Sequence, residues 1–274
     1  VVQVSLDGCT LRGQTAGEGP VLVMVPGGAG QASQADPMRE ILEPRFTVVS
    51  YDRRGISRSP LAPGAPSPTI QTHADDLHSV IKTLGGDGVC LFATSIGCLI
   101  ALDLLTRYPQ DVAKLIVHEP PDTHLLSGAA REEADAGLVR LAQTFQTEGV
   151  GAALRQLAAL LGLNPAERET DAPELEVTPQ FIQDLSFYFE HDLGAGRAYR
   201  LDTEALRAHR DRVIVGAGEK SRTLWTHRCA QALAQELDLP LTLWPGGHNG
   251  PTAYPKASAK TVIDGLSQPH STEG

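Results

Sequence analysis

The chain has 274 residues and a mass of 29.2 kDa, enough for one large α/β domain carrying an inserted subdomain. Hydrophobic residues make up 41% and charged residues 20%, an ordinary globular balance that excludes wholesale disorder. The formal charge of -10 removes the overall electrostatic attraction that nucleic acid or an anionic membrane surface requires, so neither is an expected partner.

No apolar stretch approaches the roughly 20 residues of a membrane span, and residues 1–12 lack the basic-then-apolar pattern of a leader, so a soluble, cytoplasmic protein is expected. Cys9, Cys90, Cys98 and Cys229 lie in apolar or helical patterns rather than loops, which predicts free thiols.

In chain order, residues 21–26 form a short continuous apolar run that stops at Gly27-Gly28-Ala29-Gly30, the pattern of a strand buried on both faces. A second run, 46–51, ends at Asp52-Arg53-Arg54-Gly55 and leads into a loop rich in Pro, Gly, Ala and Ser at 60–68. A helix is expected from Thr72, with Asp75 three residues on and Leu77, Val80, Ile81 and Leu84 on one face, stopped by Gly85 and Gly86. Residues 89–93 predict a strand, 94–97 a sharp turn, 98–107 a nearly all-apolar helix, and 114–117 a further strand closed by His118-Glu119-Pro120-Pro121.

Alternating strands and helices predict a mostly parallel sheet with helices on both faces. Residues 122–210 contain no convincing strand but several amphipathic helical stretches, which predicts a helical cap inserted over the carboxyl edge of the sheet. The core would comprise 1–121 and 211–266, with strands at 212–215 and 241–244, helices at 225–237 and 254–266, and a frayed polar tail at 267–274.

Three local patterns carry chemistry. Ala93-Thr94-Ser95-Ile96-Gly97 joins a strand to a helix through a turn with small residues at both flanks, as a nucleophile elbow of the form G-x-S-x-G does, with Ala in the first glycine position. The glycine-rich turn at 26–30 leaves backbone N–H groups free, and the amides of Gly28 and Ile96 are expected to form an oxyanion hole. Gly246-Gly247-His248-Asn249-Gly250 follows the last strand and puts His248 on a loop from which it would act as general base on Ser95. The competing assignment for Ser95 alone is an ordinary helix cap, and for His248 a solvated loop side chain.

With PGGAG at 26–30, YDRRGISRS at 51–59, ATSIG at 93–97, ALDLLTRYPQDVAKLIVHEPP at 101–121 and PGGHNG at 245–250 in this order, the chain resembles the α/β-hydrolase fold family over nearly its full length. The resemblance implies a serine-type hydrolase or a relative, with Ser95 as nucleophile, His248 as base, a helical cap over the pocket, and Asp52 as a structural brace. The acid is usually found after the strand that follows the cap, where alignment falls on Lys220 or Ser221. Glu219 is the nearest carboxylate and the first candidate there. Placement one strand earlier would make Glu119 or Asp122 the acid, and absence of an acid is a third alternative.

The expected activity is cofactor-independent hydrolysis of a small, mainly apolar ester, lactone or related carbonyl compound, with Phe181, Phe187, Tyr188 and Tyr199 of the cap as candidate substrate-binding residues. The alternatives are a non-hydrolytic enzyme or ligand-binding module on the same fold, and a dinucleotide-binding protein. The last rests on Gly28-Ala29-Gly30-Gln31-Ala32-Ser33 with Asp52 at the end of the next strand. No metal site is implied, and the oligomeric state stays open, with a homodimer as one expectation.

Overall fold

In the computed structural model, which describes residues 1–85, 88–174 and 176–267, the apolar runs become the strands of one eight-stranded sheet. Gly86 and residues 268–274, where the sequence suggests a helix stop and a frayed tail, lie outside the described residues. Strands β1 (Val2–Leu6) and β2 (Cys9–Ala16) form an antiparallel hairpin around Asp7-Gly8. The others are β3 (Val21–Val25), β4 (Thr47–Asp52), β5 (Val89–Thr94), β6 (Val112–His118), β7 (Val213–Gly218) and β8 (Leu241–Trp244). The spatial order is β1-β2-β4-β3-β5-β6-β7-β8, parallel from β4 to β8 and antiparallel at β1 and β2.

Burial on both faces explains why β3 and β5 read as continuous apolar runs rather than alternating ones. The helices α1 (Asp36–Leu42), α2 (Ile70–Thr83) and α3 (Ile96–Arg107) alternate with these strands. Met38 and Leu42 of α1 share one core with Leu22, Val48, Phe92, Ile116 and Trp244. Leu77 and Ile81 of α2 and Leu99 and Leu102 of α3 pack with Val23, Val49, Leu91 and Val117 in another. Successive side chains of a strand point to opposite faces, so Leu22 and Val23 place these two helix layers on opposite sides of the sheet.

Helix α2 begins a turn before the sequence expectation. Thr69, not Thr72, is its N-cap and accepts from Thr72 N at 3.1 Å. Asp75 is drawn away from a capping role by Arg107, whose Nη1 donates to it at 2.6 Å.

Between β6 and β7 the chain forms α4 (Gly128–Glu148), α5 (Val150–Leu160), α6 (Pro179–Phe187), a π-helical turn (Tyr188–Asp192), α7 (Leu193–Ala198) and α8 (Thr203–Arg207). Leu138, Leu141, Ala153, Phe181, Leu185, Phe189 and Leu193 close a separate apolar cluster that also takes in Ala29 of the loop after β3. Asp184 of α6 fastens this layer to the core, accepting from Ser57 N at 2.8 Å, Ser57 Oγ at 2.6 Å and Gln31 Nε2 at 2.5 Å. Tyr199 and Leu206 instead pack into the sheet's own core. The chain ends with α9 (Trp225–Glu236), the short α10 (Gly250–Ala253) and α11 (Pro255–Ser267). Among the described residues no helix is long and apolar enough to cross a membrane.

Candidate active site

Ser95 stands between β5 and α3 with φ 51° and ψ -129°, a conformation that an L-residue adopts only under constraint. The constraint comes from both neighbours: Ser95 N donates to His118 O of β6 at 3.0 Å, while Cys98 N already turns into the helix to reach Ser95 O at 2.8 Å. The turn therefore lifts the serine side chain out of the sheet. Gly97 is required by contact, since a Cβ there would lie 2.6 Å from Val25 O and 2.7 Å from Pro26 O. Gly97→Ala is accordingly expected to lower stability by about 1–3 kcal/mol, visible as a fall in Tm. An unchanged Tm would mean that β3 gives way freely.

Gly27 packs against Ser95, with the position of its missing Cβ 3.4 Å from Ser95 Cβ. Gly30 N closes the turn on Gly27 O at 3.0 Å. The Gly28 amide thus lies in the turn beside Ser95, and the Ile96 amide is the first of α3, one of the N–H groups that a helix leaves without an internal partner. Gly28 follows Gly27, which packs on Ser95, and Ile96 follows Ser95 in the chain.

His248 lies on the loop after β8, mostly buried, and its Nδ1 is 2.8 Å from Glu119 Oε2. Glu119 directly follows β6, has φ 53°, and is fixed by its own N–H to Gly216 O at 3.0 Å. Its carboxylate is saturated: Gly218 N at 2.9 Å and Ser221 Oγ donate to Oε1, while Thr226 Oγ1 at 2.7 Å and His248 serve Oε2. Burial pushes the Glu119 carboxyl up, but the hydrogen bond and charge of His248, with His118 and Ser221, outweigh it and hold the group well below the usual carboxylate range.

This corrects the expectation for Glu219. Its side chain is exposed, and its N–H merely prolongs the β7–β8 pairing to Trp244 O at 2.9 Å. Ser221 fills the place where the sequence comparison looks for the acid and turns its hydroxyl onto Glu119. Asp122 braces a turn, accepting from His124 N at 2.9 Å and Leu201 N at 3.1 Å. Ser221 and Thr226 were not singled out by sequence reasoning as partners of an acid. The signal for Ser221 is a hydroxyl where a carboxylate ordinarily stands, with Glu119 at the end of the neighbouring strand; Thr226, in α9, has no local signal.

Of the four cap aromatics, Tyr188 alone lies against the candidate oxyanion turn: a Cβ on Gly28 would be 3.5 Å from its ring. Phe181 is buried in the cap's own cluster, and Phe187 fills the space over Gly55 beside His191. Tyr199 donates from its hydroxyl to Asp103 of α3 at 2.9 Å, about two turns along the helix from Ser95. These three contacts are packing contacts and correct the expectation of a shared aromatic lining.

The dinucleotide alternative is corrected too. Asp52 is buried and already engaged, accepting from Ala32 N at 2.7 Å and Arg58 Nε at 2.6 Å, so it is not free for a ribose. The strand order, with an antiparallel β2 beside β4, also differs from the 3-2-1-4-5-6 order of that fold.

The model of the alpha/beta hydrolase fold matches residues 20–161. The uncharacterized hydrolase YraK of Bacillus subtilis is 31% identical over 268 residues, 96% of this chain and 94% of that protein. An esterase from Thermogutta terrifontis superposes with a TM-score of 0.73 at 20% identity, covering 98% of each chain. The enol-lactonase from Burkholderia xenovorans does so with a TM-score of 0.70 at 20% identity, covering 97% of this chain and 100% of that one.

Proposed function

The chain belongs to the α/β-hydrolase family, and from that premise we propose that it is a cofactor-independent serine hydrolase acting on a small ester, lactone or related carbonyl compound. The observation that carries this reading is a serine held in a strained elbow at a helix N-terminus and beside the glycine turn, together with a histidine oriented by a buried carboxylate. In the proposed cycle, Ser95 Oγ attacks the carbonyl carbon as His248 Nε2 takes its proton. Glu119 holds the Nδ1–H tautomer and stabilises the imidazolium that forms. The oxyanion accepts from Gly28 and Ile96 N–H, and collapse expels the alcohol, which takes the proton from His248. Water, deprotonated by His248, then attacks the acyl-enzyme, and the acid product leaves with Ser95 restored.

The ester and lactone class draws support from the esterase and enol-lactonase that share the fold, and the contact of the Tyr188 ring with Gly28 supports a substrate-binding role for that residue. Intact-mass analysis after exposure to an alkyl fluorophosphonate tests the reading. One adduct is expected, absent in Ser95→Ala and much slower in His248→Ala. A folded wild-type protein that forms no adduct would refute an activated Ser95.

A further inference from the structure

Arg53 is the residue between the structural Asp52 and the Arg54 that pairs with Asp76, and nothing in the proposed cycle uses it. It is nonetheless fully buried, which a guanidinium tolerates only with a partner for its charge; of its side-chain nitrogens Nη2 makes the hydrogen bonds, while Nε has no partner among the described residues. Its Nη2 donates to Gly27 O at 3.0 Å and to Gly28 O at 2.8 Å, and its backbone N–H reaches Gly30 O at 3.0 Å. The fit depends on Gly30, at φ 67°: a Cβ there would stand 2.9 Å from Arg53 Nε and Nη2.

Fixing those two carbonyls fixes two amides. In a trans peptide the C=O of one residue and the N–H of the next point in opposite directions. A guanidinium that holds Gly27 O therefore turns Gly28 N–H away from itself, and its hold on Gly28 O does the same for Ala29 N–H. The charge is balanced from the cap: Arg53 Nη1 lies 2.8 Å from Asp192 Oδ2, and Asp192 Oδ1 meets His73 Nε2 at 3.0 Å. Asp192 ends the π-helical turn whose first residue, Tyr188, lies on Gly28. Both ends of that turn thus bear on one loop.

We propose that Arg53 is a positioning residue that aims the oxyanion-hole amide of Gly28, and that Asp192 makes this aim depend on the seating of the cap. The inference rests on the serine-hydrolase reading, because only that chemistry places an oxyanion at Gly28. Its expected signature is a loss of transition-state binding with little change in ground-state binding.

The test compares wild type with Arg53→Met/Asp192→Asn, which removes both buried charges together and leaves His73 an amide partner, and with Arg53→Lys, which keeps the charge but lacks the planar fork. Turnover of p-nitrophenyl butyrate and affinity for a trifluoromethyl ketone are measured on proteins whose thermal melts show them folded. The double variant is expected to lose kcat about 10- to 100-fold, with KM within threefold, and to bind the ketone more weakly in the same proportion. Arg53→Lys is expected to fall between it and wild type in both readouts.

A folded double variant with wild-type kcat and ketone affinity would overturn the inference and leave the pair a cap tether. If the double variant does not fold, Arg53→Lys decides alone, and unchanged kcat and ketone affinity in it would overturn the inference equally. Failure of the hydrolase reading shows differently: wild type itself would neither turn over the ester nor bind the ketone, and the inference would fall with it.

Discussion

Glu119→Gln is expected to lower kcat/KM roughly 10³- to 10⁴-fold, while Glu219→Gln is expected to leave it within about twofold. The asymmetry follows from the four donors that converge on Glu119. A glutamine offers one acceptor oxygen and one NH2. If the oxygen faces His248 and Thr226, the NH2 meets Gly218 N–H, a donor that cannot reverse. If the NH2 faces His248, the imidazole must present a bare Nδ1 and carry its proton on Nε2, where it cannot take one from Ser95. The first arrangement leaves the buried Gly218 N–H unsatisfied at about 1–3 kcal/mol, and the second satisfies every partner but disables the base, so rate is lost either way and Tm falls only in the first. Glu219 has an exposed side chain, and its backbone contact survives the change. Kinetics and thermal melts of the two variants, measured together, check both halves. Equal losses in both, or none in Glu119→Gln, would contradict the arrangement.

The second large effect is a stability loss in mild acid that His118 carries. Burial lowers its pKa from the ordinary 6.5 to about 4, with Glu119 opposing and His248 reinforcing the shift. Its Nε2 lies 3.2 Å from Gly247 O, so the neutral ring with a proton on Nε2 holds the loop that carries His248. Because the folded pKa lies below the unfolded one, the unfolded chain takes up the proton first as pH falls. Stability is full above about 6.5 and declines through the window down to about 4. The loss between pH 8 and pH 5 is of order 2 kcal/mol.

His118→Gln keeps a donor for Gly247 O without titrating, so its denaturant midpoint should be flatter over that interval. The Glu119 contribution belongs to a lower window. Its depressed pKa gives stability that is present above its ordinary value of 4.5 and fades only below it, so the two groups separate on the pH axis. Parallel pH profiles for wild type and His118→Gln would show that the buried ring is not the group responsible.

Local patterns in the sequence carry the frame of the site because local backbone demands create them. The elbow needs small residues around Ser95, and Gly97 meets Val25 O and Pro26 O as that pattern requires. The Gly27–Gly30 turn follows a strand whose continuous apolar run marks burial on both faces, and the histidine loop follows the edge strand β8, of which only Trp244 is buried. The helical insertion between β6 and β7 is legible as a stretch without strand patterns.

The acid is not local. Which carboxylate meets His248 depends on how far two adjacent strand ends, β6 and β7, reach across the sheet edge, and a residue such as Glu219 can stand next to the right position in sequence and still face solvent. The fate of the cap aromatics is equally a matter of packing: a helical pattern identifies Tyr199 as apolar but not that Asp103 receives its hydroxyl. The N-terminal hairpin did have a signal, the alternation of Val2 and Val4 with Gln3 and Ser5 before Asp7-Gly8, and it reads as β structure by period and turn type. Arg53 has none, because its partners Gly27, Gly28 and Asp192 come from distant parts of the chain.

The most direct test of the central claim is acid-quenched intact-mass analysis of the enzyme during turnover of p-nitrophenyl butyrate, followed by peptide mapping. A burst of nitrophenol stoichiometric with enzyme, and a butyryl mass increment on the peptide containing Ser95, is the predicted result. Steady turnover that survives Ser95→Ala, with neither burst nor acylated Ser95, would contradict it.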